Sequence, residues 1–358
     1  MAEAAHTLPA ATLRAYAREL LHAAGASAEH AELTADCLLF ATLRGVDSHG
    51  LQLLTFYLDQ LVDGRVDGKG VGRLVSESAA CVLYDGENAL GQVVSARCCD
   101  HAVRLAREHG LALAISRESN HFGAAAYWGQ RIAREGMIGI VLCNASPAVA
   151  PWQAREARWG TNPICCALPP PEGGSPDDAV WLLDMATTTV AMGKIYKAKL
   201  NQEPTIPPGW AMDAEGRPTM STAAALAGFL MPLGGYKGSG LGMMVEILTG
   251  VLSGGAISTE LGGLRFKDRR FRVSQFFLAI DPGRFGSRAE FTARVARLAG
   301  HVKSAAPAAG YDEVMVAGDP EWRVQAERLR DGVPVTRGLW DEIAQRARGL
   351  GVRVPGAD

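Results

Sequence analysis

Residues 231–255 read MPLGGYKGSGLGMMVEILTGVLSGG, a glycine-rich segment followed by an apolar run. Leu241, Val245 and Leu248 recur at helical spacing, so the segment predicts a glycine loop that leads into a largely buried helix. Glycines let backbone N–H groups approach a ligand, a helix N-terminus favours anions, and Lys237 adds a positive charge. A glycine turn before a core helix fits equally well, and neither standard nucleotide-binding fingerprint is present.

The composition limits the class of protein. The chain has 358 residues, which most simply form two lobes, because single cores stop growing at about 250–300 residues. The formal net charge is −2 with charges scattered throughout, so we expect neither nucleic-acid binding nor a membrane anchor. No signal peptide or membrane-spanning segment is recognised. Seven cysteines without zinc-ligand spacing indicate free thiols in the cytoplasm and no metal site.

A polar motif, Arg44-Gly-Val-Asp-Ser-His-Gly50, interrupts the predicted N-terminal helices. Asp47 or Ser48 would cap the helix that follows, and His49 would lie in its first turn. The imidazole titrates near neutral pH, so His49 is a candidate acid–base group. A capping turn with an incidental histidine is the alternative.

The centre of the chain alternates strands and helices, which predicts an α/β fold. Ser119-Asn-His-Phe-Gly123 joins a strand to a helix and places His121 at a strand's C-terminal end, where ligands commonly bind. A hydrogen-bonded turn histidine is the alternative. The predicted strands are 80–84, 111–116, 137–143, 164–168, 180–183, 274–280 and 314–316. The predicted helices are 8–24, 27–44, 51–62, 90–109, 124–136, 287–305 and two in the last 36 residues.

Two further polar segments follow predicted strands or precede them. Asp184-Met-Ala-Thr-Thr-Thr189 follows the strand at 180–183, and its side chains could bind a ligand or cap the next helix. Gly160-Thr-Asn-Pro163 forms a tight polar turn.

Together these motifs resemble the malate/L-lactate dehydrogenase family of the non-Rossmann type. Its relatives include ureidoglycolate dehydrogenase, diketogulonate reductase, sulfolactate dehydrogenase and piperideine-2-carboxylate reductase. The resemblance runs in family order from about residue 8 to 353. Its motifs begin at Arg44 (RGVDSHG), Asp85 (DGENALG), Ser119 (SNHFG), Gly160 (GTNP), Asp184 (DMAT), Gly193 (GKI), Leu233 (LGGYKG), Phe277 (FLAIDP) and Gly318 (GD).

The resemblance implies a two-domain α/β fold with a non-Rossmann cofactor domain. Residues 1–115 plus 300–358 would form a mainly helical domain, and residues 116–299 the NAD(P)-binding domain. It also implies a homodimer and an oxidoreductase that uses NADPH or NADH. The expected reaction is hydride transfer to a 2-oxo acid or related carbonyl, or the reverse oxidation of a 2-hydroxy acid.

The family's site residues carry over to matching positions. His49 matches the proton donor, Ser48 its neighbour at the substrate, His121 a second active-site histidine, and Asp184 a further catalytic position. The expected cofactor-binding residues are His121, Asn144, Ser146, Thr161, Asn162, Asp184, Met185, Ala186, Thr187, Lys237, Gly238, Gly318 and Asp319.

Two positions in the expected substrate pocket depart from the family. Leu53 stands where many relatives have an arginine that can bind a carboxylate with two hydrogen bonds, while Tyr57 keeps an aromatic position. Trp152 lies in Pro151-Trp-Gln-Ala154, where relatives commonly have Pro-x-Gly-Gly. We therefore expect an atypical substrate. Another basic group could replace the arginine, and the candidates are Arg44, Arg155 and Arg158.

Two alternatives to a 2-oxo acid reductase remain open at this point. One is an imine reductase that acts on a cyclic imino acid or a biosynthetic imine. The other is a catalytically inactive homologue that keeps the cofactor site.

Overall fold

The structure, a computed structural model, describes residues 4–171, 173–175, 180–263 and 269–356. The predicted N-terminal helices are confirmed, and the Ser27 hydroxyl caps the second by accepting a hydrogen bond from the His30 N–H at 3.2 Å. The helices are α1 (Ala10–Ala23), α2 (Ala28–Leu43), α3 (Leu54–Val62), α4 (Gly91–His109), α5 (Ala125–Ala133), α6 (Met192–Leu200), α7 (Thr222–Ala227), α8 (Tyr236–Glu246), α9 (Arg288–Lys303), α10 (Asp319–Asp331) and α11 (Arg337–Leu350).

The strands are β1 (Ala4–Leu8), β2 (Arg73–Ser78), β3 (Cys81–Asp85), β4 (Leu111–Ser119), β5 (Ile138–Cys143), β6 (Ile164–Ala167), β7 (Leu182–Met185), β8 (Ala211–Met212), β9 (Pro218–Thr219), β10 (Phe229–Leu230), β11 (Val273–Ile280) and β12 (Val333–Thr336). Seven of them form the central sheet in the order β2-β3-β4-β11-β5-β6-β7. The β3–β4 pair is parallel and the other five neighbouring pairs are antiparallel. The expected α/β fold without a parallel Rossmann sheet is confirmed.

The central sheet is apolar on both faces, as the alternation along β11 shows. Phe277 and Ala279 pack with α4 and α5 in one core cluster, whereas Phe276 and Leu278 join a cluster on the opposite face with Val245 of α8. Successive strand residues point to opposite faces, so one strand serves both clusters.

The prediction that the glycine helix is largely buried is wrong for this chain. Met243 and Val251 are each 55% exposed, and Ile247 is 46% exposed, whereas Val245 is fully buried. The helix continues from α8 into a π-helical turn at Ile247–Val251. The period of the pattern identifies a helix but not how much of its apolar surface the same chain covers.

The predicted strand at 314–316 is also wrong. The Val316 N–H donates a hydrogen bond to the Asp319 carboxylate at 2.9 Å, which forms the turn before α10 instead of a strand ladder. Between residues 201 and 220, the short strands β8 and β9 pair with each other.

The N- and C-terminal segments share a helical core. β1 pairs with β12, and Trp340 of α11 packs with Leu13 and Tyr57 in one apolar cluster. The expected domain boundary at residue 115 falls inside β4, and β2 and β3 belong to the central sheet. We therefore propose that the N-terminal part of the helical domain ends before β2.

Candidate active site

The Ser48-His49 turn is a short 3₁₀ helix, Asp47–His49, between α2 and α3. His49 was predicted in the first turn of the next helix and instead precedes it. The Ser48 hydroxyl lies 3.0 Å from His49 Nδ1, so the serine orients the imidazole. Gly50 is required here, because a Cβ would lie 2.2 Å from Thr42 Oγ1 and 2.9 Å from its backbone nitrogen.

Helix α10 holds this turn from the C-terminal segment. Arg328 Nη1 donates to Asp47 Oδ1 at 2.6 Å and also to the Thr42 carbonyl oxygen. Arg44 Nε donates to Gln325 Oε1 at 2.9 Å, and its guanidinium lies 3.9 Å from the centroid of the Phe40 ring. Arg44 is therefore a buried tether between α2 and α10.

Replacing Arg328 by glutamine tests whether the hydrogen bonds from α10 hold the Asp47–His49 turn. We expect kcat to fall by about 10-fold, because the Asp47 carboxylate loses its partner and the turn that carries Ser48 and His49 is no longer fixed. Arg330→Gln is the matched control, since Arg330 pairs with the adjacent Asp331 at the surface. Steady-state kinetics with circular dichroism compares the two. Equal activity in both variants would show that α10 does not position the turn.

The second histidine lies beside the first. The ring centroids of His49 and His121 are 5.8 Å apart, with 25° between the ring planes. The Tyr57 hydroxyl lies 2.6 Å from His121 Nδ1, and the Phe271 ring is 6.2 Å from His121 on another side. Both imidazoles are partly exposed. The structure thus brings three predicted site residues together.

The loop that carries His121 is fixed by the turn between β3 and α4. Asn120 Nδ2 donates to the Ala89 carbonyl at 2.8 Å, and Gln275 Nε2 donates to the Asn120 carbonyl at 3.0 Å. Gly91 begins α4 directly against this loop, since a Cβ there would lie 2.4 Å from the His121 carbonyl oxygen. This contact explains why the motif at 85–91 ends in glycine.

Both histidines favour the neutral form. Burial lowers the pKa of His49. Burial and the nearby His49 lower the pKa of His121 to about 3. Although each residue keeps some exposure, its ring is largely removed from water and loses the hydration that the imidazolium cation requires.

Asp184 lies at the end of β7, against the start of α5. Its Oδ2 accepts a hydrogen bond from the Ala126 N–H at 2.8 Å. Although the residue is exposed overall, desolvation of the carboxyl group raises its pKa to about 6, which the Ala126 bond and Arg44 partly oppose. Asp184 therefore titrates closer to neutral pH than an ordinary aspartate.

Three of the expected cofactor segments are linked by hydrogen bonds. The Thr187 N–H and hydroxyl donate to the Thr161 carbonyl at 2.9 and 3.0 Å. The Leu233 N–H donates to the Thr187 carbonyl at 3.0 Å. Met185 and Ala186 lie in the chain between Asp184 and Thr187. The Gly238 N–H donates a hydrogen bond to the Leu233 carbonyl at 2.7 Å. The glycine loop and the end of β7 are therefore adjacent.

The side chains of the predicted polar residues near β5 form hydrogen bonds with other residues of the chain. Asn144 accepts from the Ser274 N–H at 2.7 Å, and Ser146 donates to the Gly262 carbonyl. Asn162 donates to the buried Glu246 at 3.0 Å and accepts from the Ala145 N–H. These side chains shape the loops, and Glu246, which sequence analysis missed, connects them to α8.

Four further expected site residues have the following surroundings. Leu53 is 8% exposed and belongs to the apolar core of the helical domain. Trp152 is 52% exposed and packs edge-on against Tyr236, with ring centroids 6.5 Å apart. Gly318 precedes α10, and Asp319 forms an ion pair with Lys303 at 2.8 Å.

One neighbour of the Ser48-His49 turn was not predicted. Gly193, in the first turn of α6, lies so close to Ser48 that a Cβ would be 2.6 Å from the serine Cβ. The Gly-Lys-Ile motif at 193–195 was the one feature of the sequence that could have indicated a site residue here. Helix α6 therefore begins beside Ser48 and His49.

The described residues contain no group of three or more His, Cys, Asp or Glu side chains arranged for a metal ion. Within the same part of the chain, no helix combines the length and apolarity needed to cross a bilayer.

Comparison with known proteins matches this arrangement to one family. The malate/L-lactate dehydrogenase family model matches residues 8–344. A malate dehydrogenase of Pyrococcus horikoshii is 36% identical over 338 residues, covering 92% of this chain and 91% of that protein. The solved sulfolactate dehydrogenase of Methanocaldococcus jannaschii has a TM-score of 0.88 at 33% identity, covering 97% of this chain and 98% of that one. The Δ1-piperideine-2-carboxylate reductase of Pseudomonas syringae has a TM-score of 0.82 at 29% identity, covering 96% and 100%. The chain is therefore an oxidoreductase that belongs to the malate/L-lactate dehydrogenase family.

Proposed function

We propose that this protein transfers hydride between NADPH or NADH and the carbonyl carbon of a 2-oxo acid, the reverse reaction being oxidation of a 2-hydroxy acid. The observation that carries the proposal is the His49 imidazole, oriented by Ser48 and adjacent to His121. Hydride addition to a carbonyl leaves an oxyanion that needs a proton, and a positioned imidazole can supply it.

The glycine loop and the start of α8 fit the phosphates of a dinucleotide. Gly235 caps α8 without a side-chain hydrogen bond, and the amides of Tyr236 and Lys237, the first two of the helix, remain available to an anion among the described residues. Lys237 is exposed and makes no ion pair among the described residues. When bound, the nicotinamide supplies the hydride. Lys237 and the backbone amides of Tyr236 and Lys237 would hold the cofactor, while Thr187 and Thr161 fix the loop beside it.

The chain's own residues divide the remaining work. His49 gives its proton to the substrate oxygen in reduction and takes it back in oxidation, and Ser48 keeps the ring in place. Asp184 at the end of β7 is held by its hydrogen bond to the N-terminus of α5, and its carboxyl group could accept a hydrogen bond from the bound cofactor or substrate.

The substrate carboxylate needs a cation that Leu53 does not supply. Of the three arginines considered from sequence, Arg44 is tethered to Gln325 and Arg158 is paired with Glu156, whereas Arg155 is exposed and lies against Gly216. Lys194 lies in the first turn of α6, adjacent to the Gly193 that abuts Ser48, and it is exposed without an ion pair among the described residues. We propose that Lys194 binds the substrate carboxylate.

Replacing Lys194 by glutamine should raise the KM for a 2-oxo acid by about 10-fold or more, because a charge-assisted hydrogen bond is lost. The cofactor affinity should change little. Lys197→Gln is the matched control, since Lys197 is an exposed lysine one helical turn further along α6. Steady-state kinetics measures both KM values. An unchanged KM in Lys194→Gln would assign carboxylate binding to another group.

The proposed function is tested by the loss of reduced-nicotinamide absorbance. NADPH and NADH are compared with pyruvate, oxaloacetate, a bulkier 2-oxo acid and piperideine-2-carboxylate. Turnover of a 2-oxo acid supports the proposal. Turnover of the cyclic imino acid alone would favour an imine reductase, for which the likeness to the Pseudomonas syringae enzyme is the supporting observation. Cofactor binding without any turnover would favour an inactive homologue.

We also propose that the chain forms a homodimer. The outer face of α8 and its continuation expose Tyr236, Met243, Ile247, Val251 and Leu252, which are between 46% and 63% exposed. Contiguous exposed apolar side chains of this kind mark association surfaces.

A further inference from the structure

The contacts of His121 identify which of its ring nitrogens carries the proton. The Gly123 N–H donates a hydrogen bond to His121 Nδ1 at 3.2 Å. A backbone N–H is only ever a donor, so Nδ1 must present its lone pair. The neutral ring therefore carries its proton on Nε2.

Tyr57 acts on the same nitrogen. Its hydroxyl lies 2.6 Å from His121 Nδ1. Burial holds the pKa of Tyr57 well above its ordinary value, so the phenol keeps its proton and donates a hydrogen bond to Nδ1. The buried Gln92 side chain lies beside the phenol on α4. Two donors thus converge on one acceptor, and protonation of Nδ1 would set its N–H against the Gly123 N–H, which cannot become an acceptor.

We infer that Tyr57 and the Gly123 N–H fix His121 as the neutral Nε2–H tautomer, so that His121 donates a hydrogen bond to a carbonyl oxygen of the bound ligand and His49 alone exchanges the catalytic proton. This inference rests on the proposed function and divides its two histidines into separate roles. Nε2 makes no hydrogen bond among the described residues, so its proton is available to a ligand. Tyr57 is a positioning residue that acts through His121.

Nuclear magnetic resonance of the full-length protein with ¹⁵N-labelled histidine tests the tautomer directly, without turnover. His121→Gln identifies the signals. We expect an unprotonated Nδ1 and a protonated Nε2 for His121, with no titration between pH 6 and 8. A protonated Nδ1, or titration within this range, would overturn the inference. Failure of the proposed reaction would leave this readout intact, so the two outcomes are distinguishable.

Kinetics of three variants test the roles. In Tyr57→Phe, Gly123 alone remains on Nδ1, so the ¹⁵N signals should shift toward the other tautomer and kcat should fall by about 10-fold, the loss of one hydrogen bond. His121→Gln keeps an N–H donor and should retain more activity than His121→Leu, which should lose about 100-fold. Tyr127→Phe is the matched control, because the Tyr127 ring packs edge-on against Phe40 and Trp128. Equal loss in both His121 variants would exclude the donor role.

Discussion

Replacing His49 by asparagine should lower kcat by about 10²- to 10⁴-fold, the range attributed to a positioned general acid. Asparagine can still hydrogen-bond to Ser48, so the 3₁₀ turn should persist. The dissociation constant of NADPH, measured by fluorescence titration, should stay within about 2-fold. His301→Asn on the exposed face of α9 is the matched control and should leave kcat unchanged. Turnover that survives within a few-fold in His49→Asn would make His49 structural and assign the proton to another group.

The pH profile gives this variant a second readout. Reduction needs the His49 cation, and burial lowers the pKa of that group below its ordinary value of 6.5. The kcat/KM for reduction should therefore fall as the pH rises through this lowered pKa. Oxidation needs neutral His49, so its kcat/KM should rise through the same pKa. Both dependences should disappear in His49→Asn.

Replacing Gly91 by alanine should lower stability and activity, because the new side chain would displace the loop that carries His121. The new Cβ would lie 2.2 Å from the Asn120 carbonyl oxygen and 2.4 Å from that of His121, and backbone atoms cannot rotate away as a side chain can. Either α4 or the His121 loop must shift. We expect the free energy of unfolding to fall by about 1–3 kcal/mol, the usual cost of overpacking. A displacement of about 1 Å at His121 should lower kcat by about 100-fold.

Gly300→Ala on α9 is the control, because a Cβ there has no heavy atom within 4 Å. It should be neutral or slightly stabilising, since alanine favours helix more than glycine does. Urea denaturation and steady-state kinetics measure both variants. Wild-type activity and stability in Gly91→Ala would show that the contact between α4 and the His121 loop relaxes without consequence.

Local sequence patterns were sufficient to predict many of the helices and strands. The apolar strand at 274–280 and the helix ended by Gly110 depend on nearest neighbours along the chain, and both are present. The positive φ of Gly110, +89°, is the left-handed conformation that glycine adopts at a helix end.

Features that depend on tertiary contacts could not be predicted. Tyr57 reaches His121 across 64 positions in the chain, and Arg328 reaches Asp47 across 281. No local pattern encodes these pairings. Leu53 was expected at the substrate pocket because it stands where relatives have an arginine, and its place in one apolar cluster with Tyr57 depends on tertiary contacts. The outer face of α8 was expected to be buried, although periodicity cannot tell a core within one chain from a surface for another.

The position of β11 has a consequence for how the protein is made. β11 separates β4 from β5 in the sheet, so Ser116 hydrogen-bonds to a partner 159 positions later, Gln275. During synthesis from the N-terminus, β4 and β5 leave the ribosome well before the strand that joins them. Their unpaired edges stay open, and closing such a long loop slows folding. Because Gln275 also holds the Asn120 carbonyl, the His121 loop is completed only after this late strand is inserted.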